Sequence, residues 1–402
     1  MKLDKPRSPV VVVDSQVIFD EFLASLTETN DAIGLDAERA SGFKFSNRAY
    51  LLQISIYQGS IYLLDPIDLD QYVPDWNTQL AKAIENKTWL LHAATQDLPC
   101  LQELGIRPSN LIDTELAARI AGMEKVGLGS LCAELLELEL AKEHSAADWS
   151  LRPLSPAMLD YAALDVDVLH ELWEKIEANL IEQGKLDWAL QDFENLLSFQ
   201  PKPPLDEPWR GLPGLSKIKD LSKLKVAASI WQARNAIAIE RDVAPGRLIP
   251  DRSVMAAVTA VPKSKSELAN NKEFQGRASR SLLATWWEAI EKAPRLEVEL
   301  QAREKGNGIP SHRSWEKRFP EAHARLEIIR PVMLELATEL SLPIENLLTP
   351  DYLRRVCFEP QENIERQLGE LGARQWQIEL VAGIISEGLE KTRQTPESPE
   401  SA

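Results

Sequence analysis

The N-terminal quarter of the chain alternates short apolar runs with amphipathic stretches. Val10, Val11, Val12 and Val13 form one such run. Residues 33–39 form another, in which acids interrupt apolar positions: Ile33, Gly34, Leu35, Asp36, Ala37, Glu38, Arg39. In a β-strand residues i and i+2 point to the same face. Leu35 and Ala37 would therefore face a core, and Asp36 and Glu38 would project side by side from the other face. Residues 49–57, the pair Gln58-Gly59 and residues 60–65 read as a hairpin with a short turn, and the strand at 33–39 is placed to pair with it. A helix over 77–85, an apolar strand over 88–92, a helix over 95–104 and a short strand over 110–113 follow. Antiparallel strands first and β-α-β units after them predict a mixed sheet flanked by helices.

Beyond Gly122 the pattern is helical to about residue 197. Pro201, Pro203, Pro204, Pro208 and Pro213 then mark a proline-rich linker over 201–215. Helices are expected at 222–240, 251–260, 265–269 and 276–292, with a break at 305–310 and a last helical region over 312–391. The segments 243–251 and 342–351 loosely echo each other, each after a long helix and ahead of a tryptophan-bearing one (Trp286, Trp376). Residues 392–402 lack apolar content and are expected to be disordered. The predicted organisation is an α/β domain over 1–200, the linker over 201–215, helical domains over 216–294 and 312–391, and a tail over 392–402.

A length of 402 residues exceeds one typical core and predicts two to four domains at roughly 100–200 residues each. With 44% hydrophobic and 27% charged residues the chain reads as an ordinary soluble protein. Its charged start and the brief valine run fall short of a signal peptide or membrane span, so a cytoplasmic protein is expected. Cys100, Cys132 and Cys357 show no C-x-x-C pairing, which makes reduced, buried thiols the expectation. The net charge of −17 hides an asymmetry. Residues 1–200 carry 15 Lys+Arg against 33 Asp+Glu, and residues 205–294 carry 15 against 10. An acidic body joined to a basic module is compatible with a polyanionic substrate.

Asp36 and Glu38, paired on a buried strand, repel each other and lose hydration, at a cost of several kcal/mol unless a cation neutralises them. A hard divalent metal is one neutraliser; a strand end at which both acids meet water is the plainer alternative. Asp97 follows the strand at 88–92 and lies near the C-terminal edge of the sheet, where it could equally be a first-turn acid stabilised by the helix dipole. Tyr161 and Asp165 are four apart on a helix and share a face. Small Ala162 and Ala163 beside them permit close approach to the sheet, and taken alone the pair reads as a packing contact.

Asp36-x-Glu38, the segment from His92 to Asp97, and Tyr161-x-x-x-Asp165 resemble the three exonuclease motifs of the DEDD superfamily, in its tyrosine-bearing branch. Their spacing, with Asp148-Trp149-Ser150-Leu151-Arg152-Pro153-Leu154 ahead of the third motif, is similar to that of the ribonuclease D family. After the linker, Trp231-Gln232-Ala233-Arg234-Asn235, Glu240-Arg241-Asp242-Val243-Ala244-Pro245-Gly246-Arg247 and Pro250-Asp251 resemble the helicase-and-RNase-D C-terminal (HRDC) domain. The likeness covers about residues 10–390. The last region departs from it, with neither the Trp-x-x-Arg nor the Pro-Gly-Arg element.

The resemblance implies an α/β plus all-α protein: a ribonuclease H-like mixed sheet with flanking helices, then two helical domains. It implies two divalent cations held by Asp36, Glu38, Asp97 and Asp165, with Asp36 bridging. All four donors are oxygens, so Mg²⁺ or Mn²⁺ is expected. Tyr161 would orient the attacking water, its phenol having an ordinary pKa near 10. The implied substrate is RNA with a free 3′ end, tRNA precursors among the candidates, shortened one nucleotide at a time. Lys223, Lys225, Arg234, Arg241 and Arg247 are the candidate phosphate contacts. Each reads equally as a surface charge, and Trp231 reads as core. Two rivals remain: a DNA-directed 3′-5′ exonuclease using the same acids, and a non-catalytic RNA-binding scaffold, which leaves those acids without a purpose. A monomer without a membrane partner is expected.

Overall fold

The computed structural model describes residues 1–141, 147–201, 203, 205–300 and 308–394. Eight strands lie among them: β1 (Lys2–Leu3), β2 (Val10–Val13), β3 (Ile33–Arg39), β4 (Ala49–Ile56), β5 (Ile61–Leu64), β6 (Thr88–Leu91), β7 (Asn110–Asp113) and β8 (Glu139–Leu140). Six of them form one mixed sheet in the order β2-β5-β4-β3-β6-β7. β3 sits inside it, antiparallel to β4 and parallel to β6. The hairpin β4–β5 turns at Gln58, whose φ of 53° is left-handed. The expected mixed sheet with flanking helices is present.

β1 and β8 pair in parallel as a separate two-stranded sheet. The expectation of unbroken helix character from 122 to 197 misses β8, because a two-residue strand carries no periodicity to read.

The helix Pro156–Asp167 begins on a proline, and the Ser155 side chain accepts from Met158 N–H. It lies across the face of β3, β4 and β5. Gly34 permits the approach: a Cβ there would collide with Ser55 Oγ and stand 3.3 Å from the Val166 carbonyl. Ser55 Oγ instead donates to that carbonyl at 2.9 Å. Ala162 and Ala163, both fully buried, complete the close seat.

The middle helical module is built on the helix Leu221–Arg241, capped by Asp220. Its own core contains Leu224, Ile230, Phe274 and Trp286, and also Trp209, Leu212 and Leu215. The last three fall inside the stretch expected to be linker; they are large apolar side chains that bury against the module, so that stretch is structured from the 3-10 turn Pro208–Gly211 onward. Residues 202 and 204 of the expected linker lie outside the described residues. The helix expected over 276–292 is broken at Leu282 into Arg277–Ser281 and Leu283–Lys292.

The last module repeats an element order. A long helix, a single turn and a further helix occur as Leu221–Arg241, Pro245–Leu248, Asp251–Ala260 and again as Pro320–Glu339, Ile344–Leu347, Pro350–Phe358. This module shares one continuous core with the α/β part. Trp376 stacks on Trp188 with ring centroids 4.9 Å apart and planes at 9°, and its indole N–H donates to Asp192 at 3.2 Å. Arg374 also pairs with Asp192, and Lys185 Nζ donates to the Leu340 carbonyl at 2.7 Å. The final helix, Gln375–Gln394, runs through residues 392–394, three positions into the expected tail; the rest of that tail, and residues 305–307 of the expected break, lie outside the described residues. All three cysteines are buried and unpaired. Among the described residues no helix is long and apolar enough to cross a membrane.

The seat at Gly34 is testable. Gly34→Ala should cost about 1–3 kcal/mol through overpacking, read as an earlier urea midpoint, and Ser55→Ala added to it should recover part of the loss. An unchanged midpoint in the single variant would mean that the helix does not press on β3 there.

Candidate active site

Three elements converge on one cleft of about 290 Å³, lined by Asp36, Glu38, Arg39, His92, Gln96, Asp97, Leu128, Tyr161 and Asp165, among others. β3 delivers Asp36 and Glu38 side by side, half-buried, with Leu35 and Ala37 packed away on the opposite face. The helix Pro156–Asp167 delivers Tyr161 and Asp165. Carboxylate oxygens of Asp36, Glu38 and Asp165 all lie within 4.8 Å of one another, and the Tyr161 hydroxyl is hydrogen-bonded to Asp165.

Asp97 arrives by a sharper route than a continuous helix over 95–104. After β6 the chain turns through Ala93, left-handed at φ 59°, into a 3-10 turn at Ala94–Gln96, and the α-helix Leu98–Glu103 begins only beyond Asp97. Asp113 holds the turn by accepting from the N–H groups of Ala93 at 3.0 Å and Ala94 at 2.9 Å. The Asp97 side chain makes no capping bond, which removes the first-turn role that the sequence left open. It is hydrogen-bonded to Asp36 instead.

Sequence reasoning missed Arg39. Strand alternation would send it away from Glu38, but the pairing register shifts between Glu38 and Arg39, and Arg39 lines the cleft with Nη2 3.4 Å from Asp97 Oδ1. His92 also lines it, its Nδ1 2.9 Å from Thr114 Oγ1. Nothing in the local sequence announces a bulge, so no signal for Arg39 was present.

Burial dominates the electrostatics. It pushes the Glu38 carboxyl up to about 10, with the charges of Asp36, Asp165 and Asp97 adding to the shift. Burial also raises Asp36, and it lifts Asp97 and Asp165 well above the carboxylate range, in both cases helped by the charge of Asp36. The Tyr161 phenol rises through burial and then through Asp165. One guanidinium cannot balance four carboxylates, so without cations the cleft favours the protonated acids. The donor set is all oxygen and closely spaced, which fits hard divalent cations and offers no soft ligand.

The candidate phosphate contacts fare unevenly. Arg234 is 6% exposed and committed to the Ile249 carbonyl at 3.2 Å and Asp251 at 2.6 Å, so it is a structural cation rather than one offered to RNA. Arg247 lies over the Phe43 ring at 3.9 Å and donates to the Gly42 carbonyl at 2.8 Å. Beside it Asp242 accepts from the N–H groups of Phe45 at 3.1 Å and Ser46 at 2.8 Å, and Ala244 N–H donates to the Phe43 carbonyl at 2.9 Å. The middle module thus grips the loop joining β3 to β4. Lys225 donates to the Pro294 carbonyl at 3.2 Å. Lys223 and Arg241 make no side-chain hydrogen bond or ion pair among the described residues. Trp231 is partly buried against the module core, as expected.

Comparison with known proteins agrees with this geometry. Residues 10–181 match a family described as 3'-5' exonuclease, residues 223–290 match the HRDC domain, and residues 308–389 match a 3' to 5' exonuclease C-terminal domain. The ribonuclease D of Gluconacetobacter diazotrophicus is 34% identical over 186 residues, covering 45% of this chain and 46% of that protein. The chain spans about half the length of the curated relatives it matches. A crystal structure of a protein from Bifidobacterium adolescentis is 33% identical with a TM-score of 0.87, covering 97% of this chain and 99% of that one. That of Escherichia coli RNase D, described as an exoribonuclease involved in structured RNA processing, shares the fold at 22% identity and a TM-score of 0.67, covering 95% and 99%. The exonuclease, HRDC and C-terminal matches follow one another in this order around one acidic cleft, and the chain is similar to ribonuclease D.

Proposed function

We propose that this chain is a metal-dependent 3′-5′ exoribonuclease that shortens RNA from its 3′ end, structured RNAs such as tRNA precursors being the substrate class. The observation that carries the reading is the meeting of Asp36, Glu38, Asp97 and Asp165 with Tyr161 at one cleft, from elements far apart in sequence. Asp36, Glu38, Asp97 and Asp165 are the residues that would hold the divalent cations. When bound, Mg²⁺ or Mn²⁺ supplies Lewis-acid charge that activates water and stabilises the leaving oxygen of an in-line displacement.

The protein's own groups do the positioning. The rigid strand and helix hold the acids in register, and the Tyr161 hydroxyl directs the attacking water. Burial raises its pKa, with the charge of Asp165 adding to the shift, and its role is to orient that water by hydrogen bonding. Exposed Arg241 and half-buried Lys223 are the phosphate contacts proposed on the middle module. A cytoplasmic monomer is the proposed setting, and the three cysteines are buried and unpaired.

Incubation with 5′-labelled single-stranded RNA and Mg²⁺ should give a ladder of products shorter by single nucleotides, slower or absent on the matching DNA and stopped by chelator. Asp36→Asn should abolish the ladder with the fold retained, and full activity in that variant would overturn the two-cation reading. Tyr161→Phe should lower kcat by orders of magnitude with little change in KM, the pattern of a contact made in the transition state; equal kcat would return Tyr161 to packing.

The acids also predict a pH dependence. Folding raises the pKa of Glu38 to about 10, against an unfolded value near 4.3, so across that window the folded chain binds more protons than the unfolded one. Stability of the cation-free protein should therefore fall as pH rises from about 5 towards 10. Melting curves in chelator should show the decline, and millimolar Mg²⁺ or Mn²⁺ should flatten it by replacing the protons. A level profile in chelator would contradict the crowding of carboxyls at the cleft.

A further inference from the structure

Gln53 lies on β4 directly opposite Asp36. Opposed residues of an antiparallel pair share a face, with Cβ atoms about 4.5–5.5 Å apart, so the Gln53 side chain enters the layer beneath the helix Pro156–Asp167 next to Asp36. Ser55, two residues on, faces the same way and bonds to the helix. On the far side Gln53 pairs with Leu63 of β5.

Gln53 is 0% exposed, yet among the described residues neither its amide oxygen nor its amide nitrogen has a hydrogen-bond partner. A buried amide without partners carries a desolvation penalty that nothing offsets. A methionine or leucine would fill the same space without that penalty, so packing alone gives no reason for an amide here. Asp36 meanwhile is bonded to the Ala37 N–H and to the Asp97 carboxyl. Gln53 is its cross-strand neighbour.

We infer that Gln53 is a positioning residue for Asp36: its amide N–H donates to the Asp36 oxygen turned away from a bound cation and holds the carboxylate in its ligating orientation. The inference rests on the two-cation reading above. Ligating carboxylates are themselves held by hydrogen bonds, and loss of such a partner lowers metal affinity by about 10–100-fold.

The test uses the full chain as wild type, Gln53→Met and Gln53→Leu, with Mn²⁺ titrated calorimetrically and melting followed in chelator and in Mn²⁺. In chelator both variants should melt at or above the wild-type temperature, because an unsatisfied buried group has been removed. Their Mn²⁺ affinity should nevertheless drop by about 10–100-fold, and the Mn²⁺-induced rise in melting temperature should shrink. Variants that bind Mn²⁺ as tightly as wild type overturn the inference. So do variants that fail to fold or lose stability already in chelator, since Gln53 would then be a packing residue. If wild type binds no Mn²⁺, the cation reading itself falls, and the role of Gln53 with it.

Discussion

Mutual repulsion among carboxylates withdrawn from water is the constraint on which this structure turns. Asp36 and Glu38 share one strand face, Asp165 is pressed against them by a helix, and Asp97 is bonded to Asp36. Loose scaffolding would relieve the crowding by letting the acids part. Here they cannot part, because β3 is inside the sheet and the helix bearing Asp165 is seated through Gly34, Ser55 and two buried alanines. Packing energy spread over the core is set against a local electrostatic cost, and what relieves that cost is protons or cations. Binding of divalent metal is in this sense already prepared by the fold.

How much of this could be read from the sequence follows from the range over which each feature is determined. The alternation at 33–39 and the four-residue spacing of Tyr161 and Asp165 are local, and both predict shared faces that the structure has. The sheet followed because hairpin and β-α-β signals lie within a few residues of their turns. Asp97 was placed near the right edge, but the break that frees its side chain depends on Asp113, a residue from the next strand, and local pattern cannot show that. Arg39 enters the cleft through a register shift imposed by β4. Trp209, Leu212 and Leu215 looked like linker because prolines surround them, and their burial is decided by a core assembled from helices much further along.

The basic excess of the middle module illustrates the limit of counting charge. Arg234 and Arg247 contribute to the sum, yet one is enclosed with Asp251 and the other is spread over Phe43. Net charge measures the field a module presents at a distance. It does not say which guanidinium groups remain available at contact: here Arg234 is spent inside the module and Arg247 on the loop joining β3 to β4.

The bond between Trp376 and Asp192 joins residues 184 positions apart, with the whole middle module between them. The Trp188 face and the Asp192 carboxylate therefore leave the ribosome uncovered. The middle module has its own core and can complete it while they wait, whereas the α/β core gains its last layer only when the final helix emerges. A chain that stops short of residue 374 leaves the Trp188 face and the Asp192 carboxylate bare, so the emergence of the final helix is the step at which this flank is withdrawn from aggregation and from chaperones.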